Sequence, residues 1–263
     1  MKLRALAGIA VIAALALTGC SAGNSGEDTS LSDATSRGEL IFGTEGTYKP
    51  FTYRADGGSG AITGYDVEIA QAVAEKLGVT ATFQETQFDG IFAGLDSSRF
   101  DLIANQIAIN PEREQKYLFS TPYTLSTGVI VTRMDDSSIS SFNDLNGKTT
   151  AQSMTSNWYR MAQENGANVQ GVEGWAQSVA LLQQGRVDAI VNDKLTFLDF
   201  EQNTPDSGLK IAAESPDTSR SAFVARQGST ALIEAVNQAL SELSADGTLT
   251  RISEKYFGAD VSQ

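Results

Sequence analysis

Apolar runs of strand length alternate along the chain with apolar positions at helical spacing. Residues 39–44 predict a short strand, and residues 66–77 predict a helix that Gly78 is placed to end. A second strand is predicted over residues 79–83 and a second helix over residues 88–96. This alternation indicates an α/β fold built on a parallel-type sheet.

One pattern occurs twice, with the second copy starting 87 residues after the first. Residues 95–105 and residues 182–192 share Leu, Arg, Asp, Ile and Asn at equivalent positions. In each copy a predicted helix ends, a polar turn follows, and a buried strand begins. The repeat is either a coincidence at a common helix-to-strand junction or the trace of two similar lobes. In the second case both strand ends would face a shared crevice, where open α/β sheets bind ligands.

The later part of the chain predicts two connections and a returning C-terminal segment. Residues 127–132 and residues 221–225 are strand-like, and we expect them to be paired crossovers between two lobes. An amphipathic helix is predicted over residues 230–243, and a terminal helix ends near Phe257. Both helices are expected to pack on the first lobe.

Composition narrows the range of functions. The 263 residues are 41% hydrophobic and 19% charged, which is globular composition with enough chain for one large domain or two modest ones. A net charge of −13 argues against nucleic acid as a partner. The absence of histidine excludes Ser-His-Asp and Cys-His catalysis and histidine-dependent metal sites. A single cysteine excludes an internal disulfide, a CxxC redox pair and a thiolate zinc cluster.

The first twenty residues have the pattern of a secreted protein. Lys2 and Arg4 precede an apolar run over residues 5–17 that is short for a membrane span of about 20 residues and fits a secretory signal. Cys20 follows small residues at the end of this run, which resembles a bacterial lipobox. The alternative is an ordinary signal or a lone buried thiol. We expect a lipoprotein signal peptide over residues 1–19 and diacylation of Cys20, which would anchor the protein to the outer face of the bacterial cell membrane.

The segment after Cys20 is small and polar. Residues 22–36 contain almost no large apolar side chain and therefore have too little surface to bury for folding. We expect residues 20–36 to form a flexible tether between the membrane and the folded body.

Seven short motifs occur in order through the folded body. They are residues 43–51 (GTEGTYKPF), 64–68 (GYDVE), 105–113 (NQ followed by PER), 119–123 (FSTPY), 144–148 (DLNGK), 185–190 (GRVDAI) and 246–249 (DGTL). With these motifs, residues 37–261 resemble the solute-binding proteins of polar amino-acid ABC importers. The first motif and the Asn-Gln pair resemble the cystine-binding branch of that family.

The resemblance implies a type II periplasmic-binding-protein fold. In this α/β fold, two lobes joined by two hinge crossovers close on one amino acid. We expect lobe I to comprise residues 37–128 and 223–263, and lobe II to comprise residues 129–222.

An amino-acid receptor must hold a carboxylate without reacting with it. A guanidinium suits this task because it makes two parallel charge-assisted hydrogen bonds. The resemblance assigns the role to Arg113, for which the alternative is a solvated helix charge. It assigns further carboxylate contacts to a turn before a predicted helix, although the family has Gly-Thr where this chain has Thr-Ser; a plain helix cap is the alternative. The turn residues concerned are Ser153, Thr155, Ser156 and Asn157.

The ligand ammonium needs a carboxylate. The resemblance assigns this role to Asp193, directly after the second-lobe strand over residues 187–192. Asp188 is a competitor, but it lies in the turn that enters the strand, as Asp101 does in the first copy of the repeat, and is expected to be structural.

The ligand side chain needs walls and a partner that sets specificity. The resemblance places Tyr48 and Phe88 on either side of it, although either ring could be simple core. Glu45 is expected to bind a distal ammonium, with a solvated loop acid as the alternative. The remaining contacts along the cleft strand are expected from Asn105, Gln106 and Ala108.

The resemblance implies a receptor that binds L-cystine and delivers it to the permease and ATPase of an ABC importer. A receptor for another polar or basic amino acid, such as arginine, lysine or glutamine, is the first alternative. A secreted prephenate or arogenate dehydratase on the same fold is a second, and a ligand-binder that docks on a membrane sensor is a third. We expect no enzymatic activity, no cofactor, no metal and no nucleic-acid partner. We also expect a monomer that contacts the membrane only through its lipid anchor.

Overall fold

The computed structural model describes residues 27–262. The signal peptide predicted over residues 1–19 and the lipidation predicted at Cys20 lie outside the described residues. No helix within residues 27–262 is long and apolar enough to cross a membrane.

The apolar spacing locates the helices well. The helices predicted over residues 66–77, 88–96 and 230–243 are confirmed to within two residues at each end. Gly78 has a φ of 71°, the left-handed conformation that ends a helix readily when the residue is glycine. The α-helices are α1 (Ser30–Arg37), α2 (Tyr65–Lys76), α3 (Phe88–Asp96), α4 (Pro111–Glu114), α5 (Asn157–Glu164), α6 (Trp175–Gln183), α7 (Lys194–Asn203), α8 (Thr230–Ala245) and α9 (Thr248–Phe257).

Twelve strands are found within the described residues. The predicted strand over residues 39–44 is confirmed, and the strand predicted over residues 79–83 begins one residue later and ends two residues later. The strands are β1 (Glu39–Thr44), β2 (Thr47–Tyr48), β3 (Thr52–Arg54), β4 (Ile62–Thr63), β5 (Thr80–Glu85), β6 (Leu102–Ala108), β7 (Tyr117–Phe119), β8 (Thr124–Arg133), β9 (Thr149–Gln152), β10 (Asn168–Gly171), β11 (Ile190–Asp193) and β12 (Leu209–Arg226).

The main sheet is mixed and only partly parallel. Its order is β11-β8-β12-β6-β1-β5, with β7 also paired to β12. β1 pairs in parallel with β5 and β6, as predicted, whereas β8 and β12 pair antiparallel with each other and with their other neighbours. The prediction of a parallel-type sheet is therefore wrong for β8 and β12. These strands contain the two predicted crossovers, and a pair that carries the chain out and back lies antiparallel.

The predicted tether is wrong for its last seven residues. Residues 30–36 belong to α1, and Ala34 on this helix is only 2% exposed within an apolar cluster. Asp28 Oδ2 accepts a hydrogen bond from Ala231 N at 2.7 Å, and Ser30 Oγ accepts one from Leu232 N at 3.3 Å. Contacts with α8 therefore fold a segment whose own composition carries little apolar surface.

Apolar side chains form clusters in two parts of the chain. Two clusters draw on residues 34–123 and 223–252, with Leu195 added, and two others draw on residues 129–209. We call these parts the first half and the second half. The predicted packing of the C-terminal helices on the first half is confirmed by the buried apolar faces of α8 and α9.

Candidate functional site

A cavity lies where the two halves face each other, and residues of both halves line it. The predicted ligand residues that line it are Glu45, Tyr48, Phe88, Asn105, Gln106, Ser153, Ser156 and Asn157. The predicted ligand residues outside this lining are Ala108, Arg113, Thr155 and Asp193. An adjoining cleft, which Arg113 and Thr155 help to line, shares Ser156 and Asn157 with the cavity. The predicted residues thus gather along one seam between the halves, but they do not all face the same space.

Four aromatic side chains wall the cavity. Tyr48 and Phe88 come from the first half, at the end of β2 and the start of α3. Trp158 and Trp175 come from the second half, near the starts of α5 and α6, and each is 8% exposed. Such rings suit an apolar or sulfur-containing part of a small molecule.

Tyr48 also joins the two halves. Its hydroxyl donates a hydrogen bond to Asn192 Oδ1 at 2.9 Å and accepts one from Thr196 Oγ1 at 3.1 Å. Burial holds the pKa of the Tyr48 phenol well above its ordinary value, so the group remains a neutral donor. Tyr48 is therefore fixed in position by polar groups from the opposite side of the cavity.

Glu45 lies in the cavity wall and is held by Asn105. Asn105 Oδ1 accepts from the Glu45 backbone N–H at 2.8 Å, and Asn105 Nδ2 donates to Glu45 Oε2 at 2.6 Å. Burial raises the pKa of the Glu45 carboxyl to about 7 against the opposing hydrogen bond from Asn105. The next residue, Gly46, has a φ of 71°, and a Cβ there would lie 2.4 Å from Glu85 Oε2, so the motif needs glycine at this turn.

Gln106 lines the cavity, and hydrogen bonds to Asp66 and Thr124 hold its side chain. Its φ of 49° is unusual for a residue other than glycine, and its side chain donates to Asp66 Oδ1 at 2.6 Å and to Thr124 Oγ1 at 2.9 Å. The Gln106 backbone N–H donates to Asp66 Oδ2 at 2.6 Å, and the Tyr123 hydroxyl donates to the same oxygen at 3.0 Å. A fully buried carboxylate thus holds the strained residue in place.

The burial of Asp66 predicts a particular dependence of stability on pH. Burial raises the Asp66 pKa from an ordinary 3.8 to about 7 in the folded protein. The folded state therefore binds more protons than the unfolded state between these values, so the free energy of unfolding falls as pH rises. In urea titrations of the protein without ligand, we expect this group to lower the unfolding free energy by about 2 kcal/mol between pH 5.5 and pH 8. The decrease should be smaller in Asp66→Asn, and an equal decrease in that variant would contradict the assignment.

Arg113 lies beside the cavity, across the seam between the halves. It is 8% exposed, and its guanidinium donates to Ala108 O at 2.9 Å and to Thr155 O at 3.1 Å. The guanidinium carbon is also 5.1 Å from the centre of the Phe92 ring. Burial lowers the Arg113 pKa to about 10, which leaves the group charged at neutral pH. The Ala108 carbonyl therefore orients the Arg113 guanidinium.

The turn before α5 caps that helix and meets the first half. Ser156 Oγ accepts from Tyr159 N at 3.0 Å, so the helix cap that was the alternative to a ligand contact is present. Asp89 Oδ1 accepts from both Thr155 N, at 3.0 Å, and Thr155 Oγ1, at 2.8 Å. Ser153 Oγ accepts from Gly174 N at 3.3 Å. Together with the contacts of Tyr48, the bonds accepted by Asp89 show that the two halves touch around the cavity.

Asp193 and Asp188 have different surroundings. Asp193 is 3% exposed and caps α7; the hydrogen bonds to its side chain, from Ser126 Oγ at 2.6 Å and Leu195 N at 2.8 Å, both go to Oδ1. Burial raises the Asp193 pKa to about 6, and its charge also contributes to the raised pKa of Tyr48. Asp188 Oδ2 instead accepts from Thr149 N at 2.8 Å, which is a structural contact.

The two copies of the sequence repeat have corresponding contacts. Asp101 Oδ2 accepts from Ile41 N at 2.9 Å, in the same way that Asp188 accepts from a backbone N–H of β9. Asn105 at β6 and Asn192 at β11 both line the cavity, one from each half. Both strands therefore face a shared crevice, which favours the interpretation of the repeat as two similar lobes.

Several lining residues were missed by the sequence reasoning. Asn192 could have been found, because it is the counterpart of Asn105 in the repeat. Gln152 ends the strand before the predicted turn and could have been included with it. Trp158 and Trp175 carried no sequence signal that separates a cavity wall from core.

Comparisons with known proteins agree with this arrangement. The sequence profile of the bacterial extracellular solute-binding proteins, family 3, matches residues 40–259. A probable amino-acid ABC transporter-binding protein of Haemophilus influenzae is 52% identical over 224 residues, which cover 85% of this chain and 86% of that protein. The L-cystine-binding protein TcyA of Bacillus subtilis is 46% identical over 270 residues, which cover the full length of both.

A solved structure supports the fold. The L-cystine solute receptor of Neisseria gonorrhoeae, in its unliganded open conformation, is 42% identical and matches 89% of this chain and 99% of its own with a TM-score of 0.60. The halves of the present structure touch each other around the cavity. The fold is the type II periplasmic-binding-protein fold that the motifs predict. By sequence profile and by full-length similarity, the chain belongs to the bacterial extracellular solute-binding proteins, family 3.

Proposed function

We propose that the protein is an extracytoplasmic receptor that binds L-cystine between its two halves and delivers it to the permease and ATPase subunits of an ABC importer. The cavity between the halves, with its four aromatic walls and the buried carboxylate of Glu45, is the observation that carries the proposal. The names of the Haemophilus and Bacillus relatives support an amino-acid ligand and an ABC system. The role is one of binding and release, without turnover.

The chemical groups along the length of L-cystine match protein groups in the cavity and along the seam between the halves. In the proposal, the α-carboxylate of one end binds Arg113 and the turn at Ser156, and its ammonium binds Asp193. Arg113 would exchange its bond to a backbone carbonyl for the stronger bond to a carboxylate. The disulfide then lies between Tyr48 and Phe88, where contacts between sulfur and aromatic rings are favourable.

Binding at the seam couples the ligand to closure. We take the two halves to be lobe I, residues 37–128 and 223–263, and lobe II, residues 129–222. Arg113 comes from lobe I and Asp193 from lobe II, so a ligand that touches both stabilises the arrangement in which the lobes meet.

The alternative ligands and the alternative enzyme function need different chemical groups in the cavity. Arginine, lysine or glutamine would use the same first-end contacts and could reach Glu45, but none has the disulfide that the ring pair accommodates. A dehydratase needs an acid aimed at a leaving group. The buried carboxylates here are occupied as a helix cap, a backbone anchor and the partner of Asn105. A membrane sensor as an additional partner is tested by whether an ABC permease gene adjoins the receptor gene.

A thermal-shift panel tests the ligand. We expect L-cystine to raise the melting temperature more than any of the twenty amino acids and more than its thioether analogues. Glu45→Gln should reduce the shift with cystine, because the amide cannot pair as a charge with the distal ammonium. Glu234→Gln, a change on the exposed face of α8, serves as the matched control and should retain the shift. A larger shift with arginine, lysine or glutamine would reject cystine while retaining an amino-acid receptor.

The lipid anchor is a separate part of the proposal. Labelled fatty acid should enter the wild-type protein and not Cys20→Ser, and the variant should be released in soluble form because a diacyl anchor is what holds the protein on the membrane. Ligand affinity should be the same in both. A wild-type protein that is released with a free thiol at Cys20 would refute lipidation and leave the receptor assignment standing.

A further inference from the structure

Two residues in the cavity wall carry buried hydrogen-bond donors without partners among the described residues. The first is Gln152, which is 3% exposed; its Nε2 has no acceptor, although its Oε1 accepts from Thr150 Oγ1 at 3.0 Å. The second is Trp175, which is 8% exposed and whose indole Nε1 also has no acceptor. Buried donors in folded proteins are nearly always satisfied, because an unmade hydrogen bond is costly. Two such donors in the wall of one cavity indicate that an acceptor on the ligand satisfies them.

Both donors are connected to the wall that contains Glu45. A Cβ placed on Gly174, the residue before Trp175, would lie 3.7 Å from Glu45 Oε1. The Gly174 backbone N–H donates to Ser153 Oγ at 3.3 Å, which ties the residue after Gln152 to the same point. Glu45 Oε2 is engaged by Asn105, and Oε1 faces Gly174. The residues next to both donors in the chain, Ser153 and Gly174, therefore lie in the part of the cavity wall that contains Glu45.

This combination has the polarity of a site for a zwitterion. An indole N–H and the NH₂ of an amide can only donate, so they select an acceptor such as a carboxylate oxygen. Glu45 supplies the opposite charge for an ammonium. The first turn of α6, which begins at Trp175, adds the positive end of a helix dipole on the side of the donors.

We infer that Gln152 and Trp175 bind the distal carboxylate of the ligand while Glu45 binds its distal ammonium. This assignment rests on the proposed function, because it requires a ligand with an amino-acid group at each end. The two donors then become specificity determinants. Lysine and arginine could satisfy Glu45 but would leave both donors unpaired, and sites built to hydrogen-bond a group reject ligands that lack it.

The test compares two ligands that differ only at the distal carboxylate. L-Cystine has it, and the mixed disulfide of L-cysteine with cysteamine keeps the disulfide and the distal ammonium but lacks it. By calorimetry on the wild-type protein, we expect L-cystine to bind at least about tenfold more tightly than the mixed disulfide. In Trp175→Phe and in Gln152→Leu, the affinity for L-cystine should fall about tenfold while that for the mixed disulfide stays within about twofold.

Trp158→Phe is the matched control, since it changes another tryptophan of the cavity wall whose nitrogen is not among the buried, unpartnered donors of the described residues. Its ratio of the two affinities should equal that of the wild type. The two test variants are independent, so a folding defect in one leaves the other to decide. Equal losses for both ligands in the test variants, or equal binding of both ligands by the wild type, would overturn the inference and leave the proposed function intact. A wild-type protein that binds neither disulfide would instead overturn the proposed function, and the inference with it.

Discussion

Replacing Arg113 with alanine is expected to weaken amino-acid binding by about 30-fold to several thousandfold, equivalent to about 2–5 kcal/mol. The α-carboxylate of the ligand would lose its charged partner in a site where little water can replace it. Arg113 is itself 8% exposed, so its charge–charge interaction with the ligand is poorly screened. Calorimetry with L-cystine at neutral pH measures the loss directly.

Two further variants separate the charge from its geometry. Arg113→Lys keeps a positive charge without the planar fork, so its affinity should lie between those of the wild type and the alanine variant. Arg160→Ala removes a more exposed arginine from the adjoining cleft, where it pairs with Glu112 at 3.3 Å. Because exposed ion pairs contribute little, this control should bind within about threefold of the wild type. If Arg113→Ala also binds within about threefold of the wild type, Arg113 is not the partner of the ligand carboxylate.

The loss of affinity must be distinguished from a loss of structure. Arg113 holds the carbonyls of Ala108 and Thr155, so its removal also weakens one contact between the halves. Urea titrations without ligand report that effect, and they should show a smaller free-energy change than the change in binding.

The elements that sequence reasoning located best are those with a strong local pattern. Both ends of the helix over Phe88–Asp96 were predicted, because its apolar face and the polar turn after it define the helix without contacts from distant residues. Residues 30–36 were predicted as tether, because they are mostly small and polar and the segment is too short to be a stable helix alone. Its contacts with α8 join residues about 200 positions apart in the chain, and no local pattern contains that information.

The residues of the site also differ in whether a local pattern or a long-range contact determines their position. Residues in short motifs at strand and helix ends, such as Glu45, Tyr48 and Ser156, were predicted and do line the cavity. Gln106 was placed correctly, but the direction of its side chain depends on Asp66, which is 40 residues away in sequence. Trp175 lies in the wall because the second half closes on the first, and closure is a property of the folded molecule.

The second large effect is expected for Asp193→Asn. The substitution preserves the shape of the side chain and its hydrogen bonds from Ser126 and Leu195 to an oxygen, but removes the charge that the ligand ammonium needs. The loss should again be about 2–5 kcal/mol, because an ammonium held in a closed cavity would lose its counter-charge. Both bonds that hold Asp193 go to Oδ1, so Oδ2 is the oxygen we assign to the ligand.

Asp188→Asn is the matched control for this prediction. Asp188 lies within the second copy of the repeat, which Asp193 follows, and accepts a hydrogen bond from a backbone N–H of β9. Its substitution should therefore lower the unfolding free energy and leave the affinity for L-cystine within about threefold of the wild type. The dependence of ligand affinity on pH is a second test of Asp193 as the partner of the ammonium. With a pKa of about 6 in the ligand-free protein, Asp193 is protonated as pH falls below that value, and a protonated carboxyl no longer pairs with an ammonium. The difference in affinity between the wild type and Asp193→Asn should therefore be largest at pH 7.5 and should narrow at pH 5. A constant difference across that range, or a larger loss of affinity in Asp188→Asn than in Asp193→Asn, would reject Asp193 as the partner of the ammonium.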